Sequence, residues 1–347
     1  MSLTPQEAIA RLAEGRALGE AGAGAVIEAV LAGDATPAQV GAILLGLRQK
    51  GETVEELVGA ARVLRAHAVA LPDVPRDAMD TCGTGGDGAH TFNVSTATAL
   101  VLAAAGVPVA KHGNRAVSGS VGSADVLEEL GVVIDLPPAA LSACLREVGI
   151  AFLFAPAFHP ALRRVAPARR ELGVRTLFNL LGPLLNPALV RRQVVGVGDP
   201  ALLETLAGVL LALGSERAWV VHGAGGLDEL ALEGPSEVVA LAGGTLRRLR
   251  VHPEDAGLAP ASHAALRVAS RAESSARIRA VLAGEPGPAR DVVTLNAAAA
   301  LVVAGLANDL RAGAAHAGAA IESGAASRVL ERLVDFTRGA RGVEAAG

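Results

Sequence analysis

Along the first seventy residues, apolar side chains return every three or four positions, as at Val40, Ile43, Leu44 and Leu47. That is the spacing of a single helix face, and strand signals are absent from the same stretch. Thr4 precedes Glu7, Thr36 precedes Gln39 and Thr53 precedes Glu56 by three residues each, which is the capping-box signature, and Pro5 and Pro37 stand at first helical positions. Residues 1–72 therefore read as a small helical domain. The segment LPDVPRD at 71–77 breaks the pattern.

From Met79 onward the texture changes to short apolar runs alternating with helical segments. VVID at 132–135, IAFLFA at 150–155, QVVGVG at 193–198 and AWVVHG at 218–223 are the expected strands. Such alternation predicts an α/β domain with a mainly parallel central sheet covered by helices. Residues 156–191, rich in Arg and Pro, interrupt it with a helical pattern, and helices from about 163–191 are expected to join the small domain. The large domain is then 73–162 with 192–347. Near its end, LNAAAALVVAGLANDLRAGAAHAGAAIESG is Ala-rich and reads as close-packed helices.

Composition narrows the function. The chain has 347 residues, 51% hydrophobic, enough for a sizeable buried core. A net charge of −4, an aromatic content of 2% and the lack of any Tyr leave neither a general attraction for polyanions nor platforms for base stacking, so no nucleic-acid partner is expected. Glu7 and Arg11 interrupt the start, and no apolar run reaches the roughly 18 residues of a membrane span, so the expectation is a cytoplasmic protein without a membrane partner. Cys82 and Cys144 are too few for a disulfide framework or a thiolate cage, and both read as small buried thiols.

Against this background the stretch DTCGTGGDGAHTFNVST at 80–96 stands out for its glycines. Asn93 is a good cap for a helix from about Val94 to Ala105 closed by Gly106, with VPVA at 107–110 as the next strand. A strand, a glycine loop and a helix N-terminus in succession suit a bound anion, although a tight βα turn has the same local pattern. Gly83, Gly85 and Gly88 satisfy GxGxxG, but no Asp or Glu occurs between Asp87 and Asp125, where a dinucleotide fold would hold a ribose. A P-loop is excluded because Ala89 follows Gly88. After the next strand, KHGNRAVSGSVGSAD at 111–125 brings Lys111, His112, Asn114 and Arg115 to the carboxyl edge of the sheet, where open α/β folds bind ligands. Lys50 and Lys111 are the only lysines among 31 basic residues, so the compact ammonium of Lys111 points to a crowded phosphate or ribose. HGAGGLDEL at 222–230 presents Asp228 and Glu229 side by side; this is a solvated turn on its own, and a Mg²⁺ site if a polyphosphate lies opposite.

Together GTGGD at 83–87, TFNVSTA at 91–97, KHGNRAVS at 111–118, GSADVLE at 122–128, RTLFNLLGPLLNP at 175–187 and GLDE at 226–229 resemble, in order and nearly end to end, the anthranilate phosphoribosyltransferase family, a nucleoside-phosphorylase-like class of phosphoribosyltransferases in tryptophan biosynthesis. The resemblance implies a homodimer with its active site in a cleft between a small helical and a larger α/β domain. It assigns Gly83, Gly86, Asp87, Thr91, Asn93, Val94, Ser95, Thr96, Lys111, His112, Gly113, Asn114, Arg115, Ala116, Val117, Ser118, Gly119 and Ser123 to phosphoribosyl pyrophosphate. It assigns Gly83, His112, Asn114, Arg169 and Pro183 to anthranilate, and Ser95, Asp228 and Glu229 to Mg²⁺. The chain departs from the family's usual SSxSGSAD at Gly119, Ser120 and Val121, which implies altered affinity or loop order. Two relatives of similar architecture provide alternatives. A pyrimidine nucleoside phosphorylase would carry KHS where this chain has KHGNR, and a non-catalytic nucleic-acid binder would not need Asp228 and Glu229.

Overall fold

The computed structural model describes residues 3–115 and 121–346, with side chains to residue 342. The chain opens with helices α1 (Pro5–Ala13), α2 (Gly19–Ala32), α3 (Pro37–Lys50) and α4 (Val54–Ala66). All three expected capping boxes form, with the Thr4, Thr36 and Thr53 hydroxyls accepting from the backbone N–H three residues on. In the third, Glu56 is buried and its carboxylate also accepts from the Leu18 N–H at 2.9 Å and the Lys50 ammonium at 2.8 Å, so one side chain ties the start of α2 and the end of α3 to the start of α4.

The sheet begins with β1 (Met79–Asp80), then α5 (Val94–Ala104), β2 (Val109–Gly113), α6 (Ser123–Leu130), α7 (Pro138–Val148), β3 (Ile150–Phe154) and α8 (Ala155–Phe158). Helices α9 (Ala166–Leu172) and α10 (Leu177–Leu181) precede β4 (Arg192–Gly196), α11 (Leu202–Ala212), β5 (Arg217–His222), β6 (Ser236–Ala242) and β7 (Thr245–Val251). Helices α12 (Arg271–Leu282), α13 (Pro288–Ala304), α14 (Leu310–Glu322) and α15 (Ala325–Ala346) complete the chain. Strand order is β3-β2-β1-β4-β5-β6-β7, parallel from β3 to β5 and antiparallel through β6 and β7. The hairpin from β6 to β7 turns on Gly243 and Gly244, both at positive φ, as a two-residue turn between right-twisted strands requires.

One expected strand is absent. VVID at 132–135 is irregular, with Val132 and Ile134 buried and the Val133 N–H donating to the Thr337 hydroxyl of α15 at 3.1 Å. Its apolar run packs under a helix, which periodicity alone does not distinguish from a strand.

Two apolar cores organise these elements. One lies around the sheet and α5, α7 and α13; the other unites α1 to α4 with α9, α10, α11 and the facing side chains of β4 to β6. The sheet changes direction at β1, which is flanked by β2 and β4, so the loops after β1, β2, β4 and β5 converge at a topological switch point. The helical segment from α9 to α10 covers that point from the other side.

Candidate active site

A cavity of about 990 Å³ lies there. Asn93 caps α5 as expected: its Oδ1 accepts from the Thr96 N–H at 3.0 Å and the Ser95 hydroxyl at 3.2 Å, while its Nδ2 donates to the Val121 carbonyl at 3.3 Å. One side chain thus fixes the helix start and joins the loop that follows β2. Lys111 is almost fully buried, and its Nζ donates to Ser95 Oγ at 3.2 Å, which places the positive charge beside that helix N-terminus.

Opposite, the Gly85 N–H donates to Asp228 Oδ2 at 2.8 Å. Asp87, Asp228 and Glu229 each bring a carboxylate oxygen within 4.8 Å of the others. Burial and the neighbouring Asp87 push Asp228 up to about 7, and burial with the charges of Asp228 and Asp87 holds Glu229 well above the carboxylate range. Glu229 Oε2 is buried and has no hydrogen-bond partner among the described residues. Three crowded acids with an unsatisfied oxygen fit a hard divalent cation that takes oxygen ligands. Gly83 lies against this cluster, where a Cβ would fall 2.9 Å from Asp228 Oδ2 and 3.1 Å from the Gly196 carbonyl. The segment carrying Asp228 is held from behind by Asn296, whose side chain accepts from the Leu230 N–H and donates to the Leu230 carbonyl, both at 3.0 Å.

On the third wall, Arg169 stacks over Phe178 with its guanidinium 5.4 Å from the ring centre, and that guanidinium makes no hydrogen bond or ion pair among the described residues. Burial lowers its pKa. His112 Nδ1 lies 3.1 Å from the Gly182 carbonyl, which assigns the ring proton to Nδ1 and leaves Nε2 a buried, unpartnered acceptor. Burial and the neighbouring His159, at 5.4 Å between ring centres, push His112 down to about 3, so it is neutral throughout the working range.

Of the expected residues, Gly83, Gly86, Asp87, Thr91, Asn93, Ser95, Lys111, His112, Gly113, Asn114, Arg115, Ser123, Arg169, Asp228 and Glu229 line this one cavity. Val94, Thr96 and Pro183 are buried behind its wall, where Gly182 stands in place of Pro183. Arg115 lines it, but its guanidinium is held by Glu128 at 2.6 and 2.7 Å and Asp125 at 3.0 Å. Ala116, Val117, Ser118 and Gly119, with Ser120 of the departing loop, lie outside the described residues. Cys82 is only partly exposed, and burial pushes its thiol up to about 12, which disfavours the thiolate form.

Asp80, Asn186 and Arg175 escaped the reading of the sequence. Asp80 is fully buried and accepts from the Thr81 N–H at 2.8 Å, the His112 N–H at 3.2 Å and Asn186 Nδ2 at 2.8 Å. It ties the end of β1 to β2 and to the segment that carries Asn186. Asn186 and Arg175 both fall in the quoted run RTLFNLLGPLLNP, whose polar residues among leucines were the available signal.

Comparisons with known proteins identify related chains. Residues 6–68 match the sequence model of the glycosyl transferase family, helical bundle domain, and residues 75–327 match that of the glycosyl transferase family, a/b domain. The anthranilate phosphoribosyltransferase of Parvibaculum lavamentivorans is 52% identical over 335 residues, covering 96% of this chain and 98% of that protein. That of Symbiobacterium thermophilum is 52% identical over 94% of this chain and 96% of that protein. Among solved structures, anthranilate phosphoribosyltransferase from Thermus thermophilus superposes with a TM-score of 0.90 at 44% identity, over 95% of this chain and 99% of that one. The Saccharomyces cerevisiae enzyme, solved in complex with PRPP and Mg, gives 0.88 at 26% identity, over 96% and 98%.

Proposed function

The chain belongs to the anthranilate phosphoribosyltransferase family, and on that premise we propose that its cleft transfers the phosphoribosyl group of 5-phosphoribosyl 1-pyrophosphate to the amine of anthranilate. The products are N-(5-phosphoribosyl)anthranilate and pyrophosphate. The observation that carries this reading is one cavity in which a glycine loop and a capped helix N-terminus face three crowded carboxylates, with the unpaired Arg169 on a third wall. The pyrimidine nucleoside phosphorylase and nucleic-acid-binding alternatives give way to it.

The bond that forms joins the amine nitrogen to the anomeric carbon of the ribose, and the bond that breaks joins that carbon to a pyrophosphate oxygen. The glycine-loop amides, the N-terminus of α5 and Lys111 bind the phosphates of the donor. Asp228, Glu229 and Ser95 would hold Mg²⁺, with Asp87 beside them; Ser95 Oγ donates to Asn93 and accepts from Lys111, which leaves a lone pair free. When bound, Mg²⁺ stabilises the negative charge that builds on departing pyrophosphate. Arg169 offers anthranilate's carboxylate a planar two-pronged partner already oriented by Phe178. His112, which also lines the cavity, is neutral, and its Nε2 has no partner among the described residues. An arylamine is weakly basic and loses its proton as the new bond forms, so positioning and electrostatics suffice without a strong base. Catalysis needs no covalent enzyme intermediate.

The domain division we adopt places 1–72 and the helices of 163–191 on one side of the cleft, supported by the apolar core that α1 to α4 share with α9 and α10. The protein acts as a cytoplasmic homodimer in this reading. No helix among the described residues is long and apolar enough to cross a membrane. Pyrophosphate release is the direct test. It should require both substrates and Mg²⁺, and phosphate-dependent cleavage of a pyrimidine nucleoside by the same preparation would overturn the assignment.

A further inference from the structure

Arg175 stands between α9 and α10, and its neighbours Leu177, Phe178, Leu180 and Leu181 belong to the apolar core that includes α1 to α4, with α10 packed against α3 and α4. Its guanidinium crosses the cleft to the glycine loop of the α/β side. Nη1 donates to the Gly85 carbonyl at 3.0 Å and to the Gly86 carbonyl at 3.2 Å. The fit is close: a Cβ on Gly86 would fall 1.9 Å from Nη1, and Gly86 itself has a φ of +77°. Gly85 is thus held twice, its N–H by Asp228 and its carbonyl by Arg175.

Among the described residues no peptide bond is cis, and across a trans peptide the carbonyl of one residue and the N–H of the next point in opposite directions. A guanidinium that fixes the Gly85 and Gly86 carbonyls therefore also fixes the N–H groups of Gly86 and Asp87, turned away from Arg175. Those amides are candidate phosphate donors, and no intramolecular hydrogen bond in the described residues uses either of them. We propose that Arg175 is a positioning residue for the phosphoribosyl donor: from the helical side of the cleft it presets the orientation of the Gly86 and Asp87 amides that receive pyrophosphate. This rests on the donor site proposed above and adds a residue to it. It also makes the competence of the glycine loop depend on the helical side being docked across the cleft.

The test uses the full-length protein and the variants Arg175→Ala and Arg175→Lys. Hydrogen exchange of the peptide covering 83–89 is measured without ligand, and calorimetry of phosphoribosyl pyrophosphate with Mg²⁺ gives Kd. In Arg175→Ala the exchange should quicken and Kd should rise roughly 10- to 100-fold, the scale of losing one or two hydrogen bonds to a charged donor. The KM for anthranilate should stay near that of the native enzyme. Arg175→Lys, whose ammonium can still reach a carbonyl, should recover part of both effects. An unchanged Kd in a folded Arg175→Ala protein overturns the inference, as does a raised Kd with unchanged exchange, which would make Arg175 a direct ligand contact. If the native protein itself fails to bind the donor with Mg²⁺, the reading of the site fails instead.

Discussion

Asn93 gives the sharpest separation between holding the fold and holding the ligand. Its Oδ1 caps α5 by accepting from Thr96 and Ser95, and its Nδ2 reaches Val121. Asn93→Ala removes the cap and should cost about 1 kcal/mol of stability. Asn93→Asp keeps both accepted bonds and adds a negative charge at a helix N-terminus, worth ~0.3–1 kcal/mol in the stabilising direction, against loss of the neutral bond to Val121. Its stability should therefore sit close to that of the native protein. The same charge faces the phosphates of the donor. A unit charge about 6 Å from a phosphate charge costs ~3 kcal/mol at an effective dielectric constant of about 20, which is roughly 100-fold in affinity. The two substitutions should thus rank in opposite order: Ala the less stable by thermal melting, Asp the weaker binder of phosphoribosyl pyrophosphate by calorimetry. Raising the salt concentration should narrow the affinity deficit of Asp more than that of Ala. If Asn93→Asp bound the donor as tightly as the native protein, the N-terminus of α5 would not be its phosphate site.

Replacing Asp228 with Asn and Glu229 with Gln together should lower turnover and Mg²⁺ affinity in parallel; an unchanged Mg²⁺ dependence would remove both from the metal site. Arg169→Ala should raise the KM for anthranilate far more than that for the donor, and equal increases would show that its guanidinium does not meet the carboxylate. Asp80 is raised from 3.8 to about 6 by burial, against the pull of Lys111, so the native state binds its proton more tightly than the unfolded state does. Stability contributed at this site should accordingly fall by ~3 kcal/mol as pH rises from about 4 to 6. Asp80→Asn, which cannot titrate, should lack that component in urea melts across the window, and parallel curves for the two proteins would refute it.

Much of this site could be read before its geometry was known, because its parts are local. A cap such as Asn93 and the three threonine boxes announce themselves within four residues, and the glycines of 83–88 mark a backbone that something approaches closely. The adjacent Asp228 and Glu229 were legible for the same reason. Contacts made across the cleft were not. Asp87 reads as a donor-site residue in the sequence, yet it completes the acidic cluster only because β1 and β5 end at the same edge of the sheet. Asp80, Asn186 and Arg175 act on backbone groups about 30 to 90 residues distant, which no spacing rule anticipates. The hairpin of β6 and β7 was missed although its Gly243–Gly244 turn lies in plain view, and VVID at 132–135 misled because a buried apolar run serves a helix-packed linker as well as a strand.

The most direct measurement follows the fluorescence of anthranilate when the protein is mixed with phosphoribosyl pyrophosphate, with and without Mg²⁺. The account predicts loss of fluorescence that requires Mg²⁺ and appears together with phosphoribosylated anthranilate. Persistent fluorescence in a folded protein that binds both the donor and Mg²⁺ would contradict it.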